Sequence, residues 1–253
     1  MNDLSVWKGK VAVVTGASSG IGWALTAKLL AGGLRVVACA RRPEKLAELR
    51  AAVGAEASER LLTEVVDLRD EAQILGLFSK TKAHWGGVDV LVNNAGLGHD
   101  APLSSGATEA WREMLETNVL ALCVCTREAV QDMQARGVAG HVVHISSMAA
   151  HRVPSGSGVY SATKFAVRSL TEGLRQELRA MKSPIRVTAI SPGYVETGFA
   201  AHYHQSEAKA EATYGRFPVI QPGEVADAVI YALCQPPHVQ IHDLLMRPTD
   251  QPS

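Results

Sequence analysis

The apolar positions of this chain fall into two kinds of run that alternate from end to end. Short runs, several of them apolar on successive positions, occupy residues 10–15, 34–40, 61–67, 88–93, 141–146, 185–191 and 239–245. Longer amphipathic runs occupy residues 21–31, 43–53, 70–84, 108–136, 159–181 and 222–234. Strands covered by helices on both faces lack the polar alternation of half-exposed ones, so the short runs predict buried parallel strands. Pro43 and Pro222 stand where the first turn of a helix tolerates proline. Asp70 and Thr108 are predicted N-caps, because acidic residues follow each of them. Regular strand–helix alternation predicts βαβ units. The expected fold is one α/β domain over residues 1–253, a doubly wound parallel sheet of about seven strands with helices on both faces.

Composition narrows the function. The 25 basic residues balance 25 acidic ones, and no basic stripe is present, so nucleic acid is not an expected partner. The longest obvious apolar run, residues 119–125, is far below the roughly 20 residues that span a bilayer, and no membrane association is expected. Met1-Asn2-Asp3-Leu4 carries no basic segment leading into an apolar stretch, hence no secretory signal. Cys39, Cys123, Cys125 and Cys234 are expected to be reduced, buried thiols of a cytoplasmic protein. Without CxxC or HExxH spacing, no metal is expected. His202 and His204 are read as solvated side chains in a mobile loop.

The first strand candidate runs into Gly16-Ala17-Ser18-Ser19-Gly20-Ile21-Gly22. Glycines there permit a tight turn and bring backbone N–H groups close to an anion at the start of the next helix. The spacing is G-x-x-x-G-x-G rather than G-x-G-x-x-G, and an ordinary tight connection is the plain alternative. Its place in the first βαβ unit favours a dinucleotide phosphate. After the second strand, where an acid would accept from a free ribose, the chain reads Arg41-Arg42. Two guanidiniums suit a 2′-phosphate, which predicts NADP(H) as cofactor; the alternative is a solvated charge pair. Asp67 and Leu68 are placed against an adenine, although Asp67 could equally cap the next turn. Asn94, Ala95 and Gly96 allow close approach to a ribose, and Asn94 could also brace the neighbouring loops.

Tyr160 and Lys164, four apart, share one face of a helix candidate. That spacing is common by chance. Ser147, closing the preceding strand, and Asn118, in the helix before it, make it more specific. Hydride transfer to a carbonyl leaves an oxyanion that needs a proton as it forms. A free phenol, with a pKa of about 10, is too weak an acid to ionise near neutrality. A neighbouring ammonium and the oxidised nicotinamide both favour the phenolate; lowering Tyr160 by about three units takes roughly 4 kcal/mol of differential stabilisation, within reach of one close charge in a partly dry cleft. Tyr160 would then serve as general acid in reduction and general base in oxidation. Ser147 would hold the substrate oxygen, Lys164 the nicotinamide ribose, and Asn118 a relay water.

These motifs, with Pro192-Gly193-Tyr194-Val195-Glu196-Thr197, resemble the short-chain dehydrogenase/reductase family over nearly the whole chain. The resemblance implies a Rossmann-type domain and a homotetramer or homodimer. It assigns the nicotinamide carboxamide to the segment carrying Pro192, Gly193, Val195 and Thr197. Within the family, residues 166–179 and the tail around 238–249 are similar to NADP-dependent carbonyl and ketosteroid reductases. The tail also resembles bacterial dehydrogenases of serine and other 3-hydroxy acids. Residues 148–158 form a shorter segment than in the steroid-reducing group.

Substrate walls in such a sheet come from loops at the carboxyl ends of its strands. Ser147, Met148, Val153, Tyr160, Tyr194 and Phe199 are the expected lining, under a lid at 196–218. A mostly apolar lining predicts a fairly apolar small-molecule carbonyl or alcohol. Arg152 keeps a hydroxy acid open, since a guanidinium can bind a carboxylate. A non-catalytic NADP(H)-binding regulatory protein on the same fold is the alternative of another class.

Overall fold

A computed structural model describes residues 4–252; the reading of Met1 to Asp3 lies outside the described residues. Seven strands form one all-parallel sheet, ordered β3-β2-β1-β4-β5-β6-β7. They are β1 (Val11–Thr15), β2 (Arg35–Ala40), β3 (Leu61–Val65), β4 (Val90–Asn93), β5 (His141–Ile145), β6 (Arg186–Pro192) and β7 (Asp243–Met246). The helices are α1 (Gly20–Ala31), α2 (Pro43–Ala52), α3 (Ala55–Ser58), α4 (Glu71–Trp85), α5 (Thr108–Leu115), α6 (Ala121–Ala135), α7 (Gly158–Ala180), α8 (Phe199–His204), α9 (Glu207–Tyr214) and α10 (Pro222–Leu233).

Side chains two apart on a strand share a face, and β1 shows the result. Ala12 and Val14 pack with Leu25 and Leu29 of α1 and Val225 and Val229 of α10. Val11 and Val13 pack on the other side with Ile74 and Leu77 of α4, Met133 of α6 and Leu178 of α7. The two cores sandwich one sheet, which is why its strands read as unbroken apolar runs. Strand order reverses between β1 and β4, the position at which open parallel sheets leave a crevice at the strands' carboxyl ends.

Four expectations change in detail. The helix predicted over 108–136 is interrupted by a π-helical turn at Glu116–Leu120. Its N-cap is Ala107, extended at φ −69° and ψ 135°, with Thr108 already helical; Asp70 does cap α4, accepting from the Ala72 N–H at 2.9 Å. The last strand begins at Asp243 rather than near 239, because side chains take the carbonyls before it. Arg186 donates to Val239 O at 3.1 Å and Thr188 Oγ1 to Ile241 O at 2.7 Å. Finally, Cys39 and Cys125 are buried, but Cys123 and Cys234 are only partly so.

Candidate active site

The turn after β1 is shaped by close backbone approach. Gly16 and Gly20 hold φ values of +67° and +55°, a region that favours glycine. A Cβ on Gly16 would stand 2.9 Å from Ala95 Cα, and one on Gly20 2.9 Å from Thr197 Cγ2. Asn94 clamps the turn: its Nδ2 donates to the carbonyls of Thr15 at 2.8 Å and Gly16 at 3.2 Å. Thr15 Oγ1 accepts from the N–H groups of Asn94 and Ala95, both at 3.0 Å. Of the two roles open to Asn94, the side chain takes the bracing one. Gly20, Ile21 and Gly22 are the first residues of α1, where N–H groups lack partners within the helix.

The two arginines lie beside this turn. Arg42 Nη2 donates to Ser18 Oγ at 3.0 Å and Ser19 Oγ at 3.1 Å, folding its guanidinium back over the glycines. Arg41 reaches Glu113 Oε1 at 3.5 Å. Hydroxyls, guanidiniums and helix-start N–H groups together make the donor set of an anion cradle. Asp67 is engaged by its own turn, accepting from the N–H of Arg69 at 3.0 Å and pairing with its Nη2 at 2.6 Å. The Arg69 hydrogen bonds hold its carboxyl below the usual range against a partial burial. Leu68 packs against the core on the α4 side of the sheet.

Tyr160 and Lys164 lie one turn apart on α7. Ser147, the N-cap of the 3-10 turn Met148–Ala150, accepts from the Ala149 N–H at 3.1 Å, and its side chain hydrogen bonds Tyr160. Lys164 is 6% exposed. Its Nζ donates to Ile145 O at 3.0 Å and stands 5.9 Å from the Tyr160 ring centroid.

Burial lowers Lys164 to about 8 and, outweighing the Ser147 hydrogen bond, raises Tyr160 to about 12. The expected lowering of the phenol is therefore reversed in the protein by itself: desolvation dominates, and the ammonium is directed at a carbonyl. Near neutrality Tyr160 is a phenol, the proton-donating form.

Asn118 lies in the π-helical turn, and its side chain is hydrogen-bonded at both its oxygen and its nitrogen. Leu97 N–H donates to Oδ1 at 2.9 Å, and Nδ2 donates to Leu97 O at 2.7 Å and Thr163 Oγ1 at 3.1 Å. The amide is thus a brace between the loop after β4 and α7.

Two short helices, α8 and α9, fill most of the expected lid, so His202 and His204 sit on a helix rather than in a loop. Phe199 faces Tyr160 with ring centroids 5.3 Å apart and stacks on Tyr203 at 6.1 Å. Gly98 makes room for this contact, since a Cβ there would lie 2.8 Å from both Phe199 Cζ and Tyr203 Cδ2. Tyr214 pins the base of the lid by donating to Thr197 O at 3.0 Å. Met148 is buried, whereas Val153 is 62% exposed and offers little wall. Tyr194 meets Phe217 edge to face at 6.0 Å.

Three further features were not apparent from the sequence. Gln251, buried near the chain's end, accepts the Tyr194 N–H at 3.0 Å and occupies the space a side chain on Gly193 would need. Arg152 donates to Pro252 O at 2.9 Å. His99 Nε2 meets Glu113 Oε2 at 2.7 Å, with the His202 ring 5.0 Å from that of His99. Burial works to raise Glu113, but the His99 hydrogen bond and the charges of His99, Arg41 and Arg69 hold it below its ordinary range. Each of these contacts joins elements far apart in the chain, which spacing rules do not detect.

Comparison with known proteins gives a consistent result. The family pattern described as short chain dehydrogenase matches residues 10–208. Dehydrogenase/reductase SDR family member 11 of Bos taurus is 50% identical over 250 residues, covering 97% of this chain and 98% of the relative. The farnesol dehydrogenase of Aedes aegypti is 42% identical over 249 residues, 97% of this chain and 98% of the relative. Among solved structures, the closed form of serine dehydrogenase complexed with NADP+ superposes with a TM-score of 0.90 at 34% identity, covering 96% of each chain.

Proposed function

The chain belongs to the short chain dehydrogenase family and is an oxidoreductase, and from that premise we propose that it interconverts a fairly apolar ketone and its secondary alcohol with NADP(H). The observation that carries the reading is the Tyr160 phenol, hydrogen-bonded to Ser147, backed by buried Lys164 and covered by Phe199. The cradle of Ser18, Ser19, Arg41 and Arg42 fits the charge of a 2′-phosphate, with Gly16 to Gly22 along the pyrophosphate and the 192–197 segment beside the nicotinamide. Asp67, Leu68, Ala95 and Gly96 would line the adenosine and ribose. When bound, the nicotinamide supplies the hydride.

Ser147 would hold the substrate oxygen by a hydrogen bond. Tyr160 would pass its proton to that oxygen as the alcohol forms, a contribution typical of positioned general acids. Lys164 would add positive charge beside the phenol and grip the ribose. Phe199 and Tyr203 would keep water from the reacting atoms.

Tyr160→Phe tests this reading, and with it the alternative of a non-catalytic binding protein. NADPH oxidation with a ketone should fall by about 10²- to 10⁴-fold while NADPH binding, followed by fluorescence, persists. Full turnover in the variant would reject the mechanism.

The likeness to serine dehydrogenase supports a second reading, oxidation of serine or another 3-hydroxy acid. Arg152, the guanidinium that would bind a carboxylate, gives one Nη2 hydrogen bond to the Pro252 carbonyl and keeps its other donors. Steady-state assays with a bulky ketone, L-serine and 3-hydroxypropionate separate the two. We also infer a cytoplasmic homodimer or homotetramer. The exposed apolar side chains of Leu115, Leu120 and Phe165 support assembly, and sedimentation velocity tests it.

A further inference from the structure

His99, Glu113 and His202 come from three separate parts of the chain: the loop after β4, helix α5 and the lid helix α8. One ligand atom from each lies within 4.8 Å of the others. Two imidazoles and one carboxylate are the donor set of open zinc centres, three protein ligands with a fourth position for water. They also suit related divalent transition metals.

The two oxygens of Glu113 divide the work. Oε1 faces Arg41 at 3.5 Å and Arg69 at 3.7 Å, while Oε2 faces His99 at 2.7 Å. A ligating carboxylate is ordinarily fixed by such outer partners on its other oxygen. His99 and Glu113 are partly buried and His202 is exposed, so a metal ion can enter from solvent on the lid side.

We propose that His99, Glu113 and His202 form a binding site for a divalent transition metal of the zinc class, which fastens α8 to the body of the domain. Two ligands stand on the β4–α5 side and the third on the lid, so the ion bridges a lid to its frame. The lid carries Phe199 and Tyr203, which cover Tyr160. Metal binding therefore holds the active site closed and slows exchange across it.

The test uses the full chain, stripped with a chelator and titrated with zinc by calorimetry, with cobalt absorption as a second probe. Binding at one ion per chain in the micromolar range is expected. Affinity should drop at least about tenfold in His99→Ala, His202→Ala and Glu113→Gln, the last keeping its side-chain shape. His204→Ala is the control: that ring packs edge to face on Tyr203 at 5.0 Å, and the variant should bind zinc as the unmodified chain does. Amide exchange in 199–204 should slow with zinc in the unmodified chain and not in His202→Ala. Absence of stoichiometric binding, or equal affinity in all variants, overturns the proposal. So does binding without protection of the lid. Melting temperatures of the metal-free variants identify any that fail to fold, and Glu113→Gln then decides.

Discussion

Asn118 and Leu97 are joined by two hydrogen bonds in the manner of adjacent strands, N–H to Oδ1 at 2.9 Å and Nδ2 to O at 2.7 Å. A third bond from the same amide, to Thr163, reaches the helix that carries Tyr160 and Lys164. One side chain thereby sets the spacing between the loop after β4, the π-helical turn and α7.

Removing it with Asn118→Ala leaves the Leu97 N–H and carbonyl buried without their partners. The cost should be about 1–3 kcal/mol, read from urea denaturation midpoints. Turnover should fall as well, with the KM for ketone nearly unchanged, because the reacting groups shift while the lid does not.

Arg41→Asp combined with Arg42→Ile removes both guanidiniums from the phosphate turn. Each charge-assisted contact to a 2′-phosphate contributes about 1.5–3 kcal/mol, so the preference for NADPH over NADH should drop by more than about a hundredfold. The ratio of kcat/KM for the two cofactors measures it. An unchanged ratio would mean that the pair is solvated charge.

Gly98→Ala should lift the lid. The new methyl would press on Phe199 and Tyr203 at 2.8 Å, harder than on Tyr160 Cδ2 at 3.2 Å, so the aromatic cover over Tyr160 should give way first. KM for a bulky ketone should rise several-fold with little change in melting temperature. An unaltered KM would show that the cover plays no part in binding.

Stability should depend on acid through two buried histidines. Burial holds His141 and His144 down at about 3, against an ordinary 6.5. The unfolded chain takes up their protons first, so stability is complete above about pH 6.5 and is lost as pH falls toward 3. Between pH 6.5 and 5, where carboxylates contribute little, the melting temperature should already decline. His141→Gln should flatten that decline, and an identical slope in the variant would refute the assignment.

What the sequence conveyed was local. The strand–turn–helix of Thr15 to Gly22, the arginine pair and the Tyr160–Lys164 spacing each lie within a few residues of one another, and their placement in the fold follows from periodicity. Apolar spacing continues through Glu116–Leu120, so the π-helical turn left no mark in the pattern; the need of Asn118 to reach Leu97 accounts for it only in three dimensions. The phenol's direction of shift was missed for a related reason. Spacing identifies the ammonium near Tyr160 but not the Ile145 carbonyl that receives it, nor the burial that raises the phenol against the Ser147 hydrogen bond.

Gln251 supplies a practical consequence. It holds the Tyr194 N–H and fills the space above Gly193, so the last turn of the chain is a wall of the loop assigned to the carboxamide. Shortening the side chain with Gln251→Ala would open that wall from a position far along the sequence from any residue of the motif it supports.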